Sequence, residues 1–296
     1  MLEPVETIIR ALVEEVDFPQ ATELFTKLSG GKRLRARLIL TIAPTHPDGP
    51  LLGAIVELIH AASLLHDDVI DEAMLRRGVA SVNATHGSKM AIMLGDILYS
   101  KAFSSLTSFD PAIARSIAES VTRLSVGEMM DVEMANHFNT DRDLYLKMLY
   151  LKTATLIESS AYCAALLEGK DPATYGLYGK NLGLAFQIVD DILDITSDEA
   201  TLGKPALNDF VEGKTTLPYM DLYDVLDDMQ KEKLIGCHGR ILEASEKEWL
   251  SHAMREHGII ERSYARAQAL CDEALNVIGD EDTLRAIITS VIQRSH

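Results

Sequence analysis

Between Leu51 and Leu65 the chain is almost wholly apolar, interrupted at Glu57 and His60, and the window is too short to cross a bilayer. Elsewhere long stretches are filled by Ala, Leu, Ile, Glu and Met, all good helix formers. Proline marks where those stretches stop. The 9 prolines stand at 4, 19, 44, 47, 50, 111, 172, 205 and 218, leaving proline-free runs over 51–110, 112–171, 173–204 and 219–296. A proline inside a helix removes a hydrogen bond and clashes with the preceding turn, so runs of this length permit long helices. Strand-like alternation closed by Asn-Gly or Asp-Gly turns is missing. Turn-forming residues collect at 44–50, 108–111, 168–172 and 196–209, with no repeat and no linker between them. The pattern predicts an all-α fold, a single domain over 1–296. Ordinary helix lengths make it a bundle of roughly ten or more helices.

Composition narrows the function classes. The 296 residues carry 28 basic and 45 acidic side chains, a net charge of −17. Such a surface repels phosphate backbones, which argues against nucleic acid as a partner. With 47% hydrophobic and 25% charged residues the chain is built to fold, not to stay disordered. Cys163, Cys237 and Cys271 are odd in number and widely spread, so neither a disulfide framework nor a CxxC zinc site is expected. They suit a reducing cytoplasm. The N-terminal stretch holds Glu3, Glu6, Glu14 and Glu15 and does not read as a signal peptide. The expectation is a protein that does not span a membrane.

The first chemistry lies at the end of the apolar segment. Asp67, Asp68 and Asp71 follow one another at i, i+1 and i+4. On a helix Asp67 and Asp71 lie about 40° apart, with Asp68 on the flank and His60 on the same stripe. Three carboxylates so placed repel one another unless a cation sits among them. Hard oxygen ligands suit Mg²⁺, which keeps waters and shares its shell with substrate phosphates. A solvated helix end is the plain alternative. Asp190, Asp191 and Asp194 then repeat the spacing, with Gln187 on the same face. Two such helices can face each other across a central cavity in a bundle. Six carboxylates there would need divalent ions and a bound polyanion.

Basic residues cluster despite the acidic total. Lys32, Arg33, Arg35 and Arg37 follow a glycine pair, and Arg76 and Arg77 follow the first aspartate triplet. Lys152-Thr153 lies mid-chain, while Lys204 and Lys214 each follow a glycine after the second triplet. Arginine forks and lysine point charges are the usual partners of diphosphate. The combination points to two diphosphates, one held through metal and one held directly.

In this order the residues resemble the trans-isoprenyl diphosphate synthases. The resemblance rests on GGKRLR, LLHDDVIDEAMLRRG, GDILYSKAF, YLKTATL, FQIVDDILD and LGKPALNDFVEGKTTLP, and runs from about Gly30 to Pro218. It is similar in detail to the bacterial long-chain members. The resemblance implies a Mg²⁺-dependent prenyltransferase that joins an allylic diphosphate to isopentenyl diphosphate, head to tail and repeatedly. It implies that Asp67 and Asp71, assisted by Asp68, and Asp190 hold metal, with Asp194 acting through water and Asp191 completing the motif. Arg76, Lys152, Thr153, Gln187, Lys204 and Lys214 would serve the allylic diphosphate. Lys32, Arg35, His60 and Arg77 would hold isopentenyl diphosphate, although a histidine on an apolar helix is more often a core residue. Family members are typically homodimers. Peripheral membrane contact for release of a greasy product is compatible with this reading.

Chain length turns on Ala62 and Ser63, just before the first motif. In the family, bulky aromatics at these two positions floor the tunnel of short-chain synthases. Small residues here imply a long product of about C30 to C40, centred on octaprenyl, for a quinone side chain. Phe103 and Leu106 are candidates for a deeper floor. A short-chain farnesyl or geranylgeranyl synthase is the alternative. More distant rivals are a class I terpene cyclase, a non-catalytic subunit of a heteromeric synthase, and a di-iron bundle, for which Glu57 and His60 give one Glu-x-x-His match.

Overall fold

The computed structural model describes residues 1–28, 31–76, 78–196, 206–279 and 281–293. Among them the protein is all-α apart from one short hairpin. The chain divides into two compact units, Met1–Thr122 with Leu156–Gly179, and Arg123–Thr155 with Lys180–His296.

The first unit is organised by α4 (Gly49–Ile70), against which α1 (Glu3–Glu14), α3 (Leu34–Ile42) and α6 (Ser88–Leu106) pack. The apolar segment expected over 51–65 is extended to 22 residues, which by length and composition is enough to cross a membrane, yet 67% of its apolar window is buried within the protein. Leu52, Ile55, Val56, Leu58, Ile59 and Leu65 face the core. Gly53 makes the close approach possible. A Cβ there would stand 3.3 Å from Val5 and 3.4 Å from Ala36. The polar break at Glu57 has a structural cause. One carboxylate oxygen accepts the Ala36 amide at 3.1 Å, in the first turn of α3 where helical donors lack partners, and the other accepts from Arg33 at 3.4 Å. Arg33 also donates to Glu6 at 2.8 Å. With both oxygens of Glu57 engaged, the Glu57/His60 match is not a metal pair, and the di-iron alternative falls. α2 (Pro19–Lys27), α5 (Val82–His86), part of α7 (Pro111–Met134), most of α9 (Thr155–Glu168) and the start of α10 (Pro172–Thr196) complete the unit.

The second unit contains α8 (Arg142–Leu149), a π-helical turn over Tyr150–Ala154, and the rest of α7 and α10. There follow α11 (Asn208–Val211), α12 (Leu217–Val225), α13 (Asp228–Cys237), α14 (Ala244–Glu256), α15 (Ile259–Ile278) and α16 (Asp282–Ile292). Ile195, Phe210, Tyr219, Leu222, Leu234, Leu250 and Met254 form its core. Asp221, only 1% exposed, ties three helices together. Its carboxylate accepts a hydrogen bond from Arg142 of α8 at 2.8 Å and forms an ion pair with Arg266 of α15 at 2.8 Å.

Candidate active site

The first aspartate triplet ends α4, and Asp71 is its C-cap. The chain then turns back into a hairpin, β1 (Leu75–Arg76) paired with β2 (Val79–Ala80) around Gly78, whose φ of +76° needs glycine. Sequence alternation missed this element because two-residue strands hold no period. Asn83 anchors the turn by donating to the carbonyls of Asp68 and Ala73, both at 3.0 Å. The hairpin brings Arg76 back over the motif, where it donates to Asp67 Oδ2 at 2.9 Å and Asp68 Oδ1 at 2.6 Å. Burial pushes the Asp68 carboxyl above its ordinary range; Arg76 opposes that shift, and the charges of Asp67 and Asp71 add to it. Asp68 Oδ2 is buried with no hydrogen-bond partner. Gly95 of α6 lies against the ring of the preceding His66, where a Cβ would come within 2.7 Å of Cδ2.

In the second unit the YLKTA segment forms the π turn that carries Lys152 and Thr153. Such single π turns are common at functional sites, and here two glycines make room for it. A Cβ at Gly127 of α7 would lie 2.7 Å from Lys152 Cα, and one at Gly183 of α10 would lie 2.6 Å from Ala154 Cα. Lys152 Nζ donates to Asp131 at 2.6 Å and pairs with Glu128 at 2.9 Å, both on α7. Thr153 donates to Gln187 at 3.0 Å, and Gln187 donates to Asp191 at 3.1 Å. The phenol of Tyr145 donates to the other oxygen of Asp191. Burial, with the nearby charge of Asp209, holds the Asp191 carboxyl well above its usual range. Asp194 is 2% exposed and accepts the Asp209 amide at 3.1 Å, so it braces the start of α11.

These groups line a cavity of about 110 Å³. Asp131, Lys152, Thr153, Gln187, Asp191 and Lys214 are among its walls, as are Tyr145, Asp209, Thr215 and Thr216. Four of the expected allylic-site residues, Lys152, Thr153, Gln187 and Lys214, therefore come together. Arg77 and Lys204 lie outside the described residues. In the first unit Lys32 is exposed, Arg35 and His60 are half-buried, and Ala62 is fully buried. Ser63 is half-buried and donates to the His60 carbonyl at 2.8 Å. Phe103 stacks on Tyr99 with centroids 6.1 Å apart, while Leu106 is a core residue.

Among the described residues no three His, Cys, Asp or Glu side chains form a ready metal cage. Mg²⁺ does not require one, since it takes one or two carboxylates and completes its octahedron with water and phosphate. The partnerless Asp68 Oδ2 and an all-oxygen donor set fit that ion.

Residues 19–255 match the polyprenyl synthetase family. A short chain isoprenyl diphosphate synthase from Methanothermobacter thermautotrophicus is 33% identical over 292 residues, covering 90% of this chain and 88% of its own. The crystal structure of octaprenyl pyrophosphate synthase from Helicobacter pylori superposes with a TM-score of 0.94 at 40% identity, over 100% of this chain and 98% of that one. A polyprenyl synthase from Caulobacter crescentus, solved with calcium and isoprenyl diphosphate, gives 0.88 at 27% identity over 99% and 94%. The chain belongs to the polyprenyl synthetase family. Its activity is that of a trans-polyprenyl diphosphate synthase, a prenyltransferase acting on allylic and isopentenyl diphosphates.

Proposed function

We propose that this synthase is a long-chain enzyme, making an all-trans product of about C30 to C40, centred on octaprenyl, for a quinone side chain. The observation that carries this is the size of Ala62 and Ser63. The two residues just before the first motif take almost no room, and Ala62 is fully buried on α4. The 40% identity to an octaprenyl synthase supports the same reading, and the 33% identity to a short-chain synthase keeps farnesyl or geranylgeranyl products as the second one.

Asp67, Asp71 and Asp190, with Asp68 alongside, are the residues to hold Mg²⁺, which when bound neutralises charge building on the departing diphosphate. The basic side chains share that task. Arg76, Lys152 and Lys214 donate to the allylic diphosphate oxygens, and Thr153 and Gln187 orient it. Lys32, Arg35 and His60 hold isopentenyl diphosphate, and Arg77 and Lys204 join their respective sets. As the allylic C–O bond ionises, water must be kept from the carbocation, and apolar walls do this. The isopentenyl double bond attacks the cation, and the proton then lost goes to the diphosphate. Each turn adds one five-carbon unit. A cytoplasmic homodimer belongs to the same reading.

Labelled isopentenyl diphosphate incubated with farnesyl diphosphate and Mg²⁺, followed by sizing of the dephosphorylated products, tests it. The expected ladder ends at about C30 to C40 and vanishes with EDTA. Ala62→Tyr or Ser63→Phe is expected to shorten products to about C15 to C20 by placing a bulky aromatic just before the first motif. Unchanged lengths in both variants would overturn the reading.

A further inference from the structure

The stretch 231–262 bears no recognisable motif, yet one of its residues reaches the pocket loop. Lys214 sits in the turn between α11 and α12, flanked by Gly213 with φ +87°. The Gly213–Lys214 peptide is fixed at both ends. Its N–H donates to the Asp209 carbonyl at 2.7 Å. Its C=O accepts from Nε2 of His238 at 2.7 Å. A carbonyl only accepts, so His238 carries its proton on Nε2. The imidazole is itself held edge-on between Phe138 and Phe210, with centroids 5.5 Å from each, and the following Gly239 amide donates to the Phe210 carbonyl at 3.0 Å. Gly213 also lies against the Ala135 carbonyl, leaving no room for a side chain there.

We infer that His238 is a positioning residue for the prenyl transfer: by holding the Gly213–Lys214 peptide, it keeps Lys214, whose ammonium donates to Glu212 at 2.9 Å, in the wall of the diphosphate pocket. The inference rests on the proposed role of Lys214 in binding the allylic diphosphate. The physical reason is the glycine. A peptide that begins at glycine can rotate with little steric penalty, so without the His238 donor only the bond from its N–H to the Asp209 carbonyl still resists turning. Rotation of that plane re-aims the Lys214 backbone and swings its side chain from the cavity wall. His238 touches no substrate in this account and acts only through the peptide.

The test compares His238→Ala, His238→Gln and Lys214→Ala, reading Tm, kcat, and KM separately for farnesyl diphosphate and isopentenyl diphosphate. His238→Ala is expected to raise KM for farnesyl diphosphate about tenfold, with kcat and the isopentenyl KM within about threefold, the pattern of lost binding rather than lost chemistry. His238→Gln, whose amide N–H can reach the same carbonyl, is expected to recover most of the affinity. Adding His238→Ala to Lys214→Ala should cost nothing further, since the group it positions is gone. An unchanged farnesyl KM in His238→Ala, or a loss in kcat and both KM values that His238→Gln does not repair, would overturn the inference. Should Lys214→Ala itself leave the farnesyl KM unchanged, the reading of the pocket fails instead, and the inference fails with it.

Discussion

Gly127→Ala adds one methyl group where an added Cβ meets the closest contact of any described glycine in the second unit. The new Cβ would lie 2.7 Å from both Lys152 Cα and the Leu151 carbonyl carbon, and nearer still to the Lys152 nitrogen. Ordinary contact begins near 3.4 Å, so α7 and the π turn must separate by about 0.7 Å or more. The obstructing atoms are all backbone and cannot swing aside as a side-chain tip would. Overpacking of this kind costs about 1–3 kcal/mol, and removing glycine from a helix interior returns about 0.5–1 kcal/mol, so a net loss centred on about 1 kcal/mol, and up to about 2.5, is expected. For a protein of this size that is a fall in Tm of several degrees, at roughly 2–4 °C per kcal/mol. Activity should suffer more, because the displaced residues carry Lys152 and Thr153; kcat/KM for the allylic substrate is expected to fall at least about tenfold. Gly236→Ala is the control. It sits on an exposed face of α13 with nothing within 4 Å of its added Cβ, and should stabilise by about 0.5–1 kcal/mol with no change in rate. Scanning calorimetry and steady-state assays of both variants decide the matter. A Gly127→Ala enzyme with the wild-type Tm and kcat/KM would refute the claim that these glycines hold the π turn in place.

Asp221→Asn leaves Arg142 and Arg266 without their shared carboxylate, and because both arginines keep some access to water the loss should be about 1–3 kcal/mol, read by urea unfolding. The three thiols are buried, with Cys163 pushed up to about 11 and Cys271 to about 12 chiefly by burial. A thiol-disulfide reagent at pH 8 should therefore find no fast cysteine in the native protein and all three after denaturation. On the surface, hydrogen bonds from Arg240 lower the Glu246 carboxyl to about 2 from its usual 4.5. A folded-state value below the unfolded one adds stability that is present above pH 4.5 and is lost as pH falls towards 2. The Tm difference between wild type and Glu246→Gln should shrink over that window, and a pH-independent difference would count against the pair.

The helical placement of both aspartate triplets and of the lysine-threonine pair was legible because each is written in residues close together in the sequence. Gln187 came with its triplet for the same reason, one turn upstream. The residues that sequence reasoning missed are single letters whose role depends on folding. Tyr145 meets Asp191 from 46 positions away. Asp209 and Asp131 enter the pocket wall from α11 and from α7. The Glu128/Asp131 pair did leave a signal, two acids at i, i+3 that a buried lysine would need as partners. His238 left none, because its target is a carbonyl. The π turn is equally silent, since one extra residue in a helix disturbs the 3.6-residue pattern less than side-chain variety does. Glu57 was visible as a break in an apolar run, and only the position of α3 shows that it caps a helix.

The acidic total and the anionic substrates pose an apparent conflict, which local structure resolves. Exposed charges are screened beyond roughly 8–10 Å in physiological salt, so the groups lining each site set the potential a diphosphate meets. In the first unit Arg76 stands on Asp67 and Asp68; in the second Lys152 stands on Glu128 and Asp131. Neither cation is solvated as a free surface charge would be. If these cations take diphosphate, as proposed, it would replace one set of oxygen acceptors with another, and most of the cost of removing the cation from water would already have been met in folding. The carboxylates released by that exchange are the ones most in need of a new cation, Asp68 above all, because it is 1% exposed and burial already disfavours its charge. Metal and diphosphate should accordingly bind with positive coupling, each removing the penalty the other would face alone.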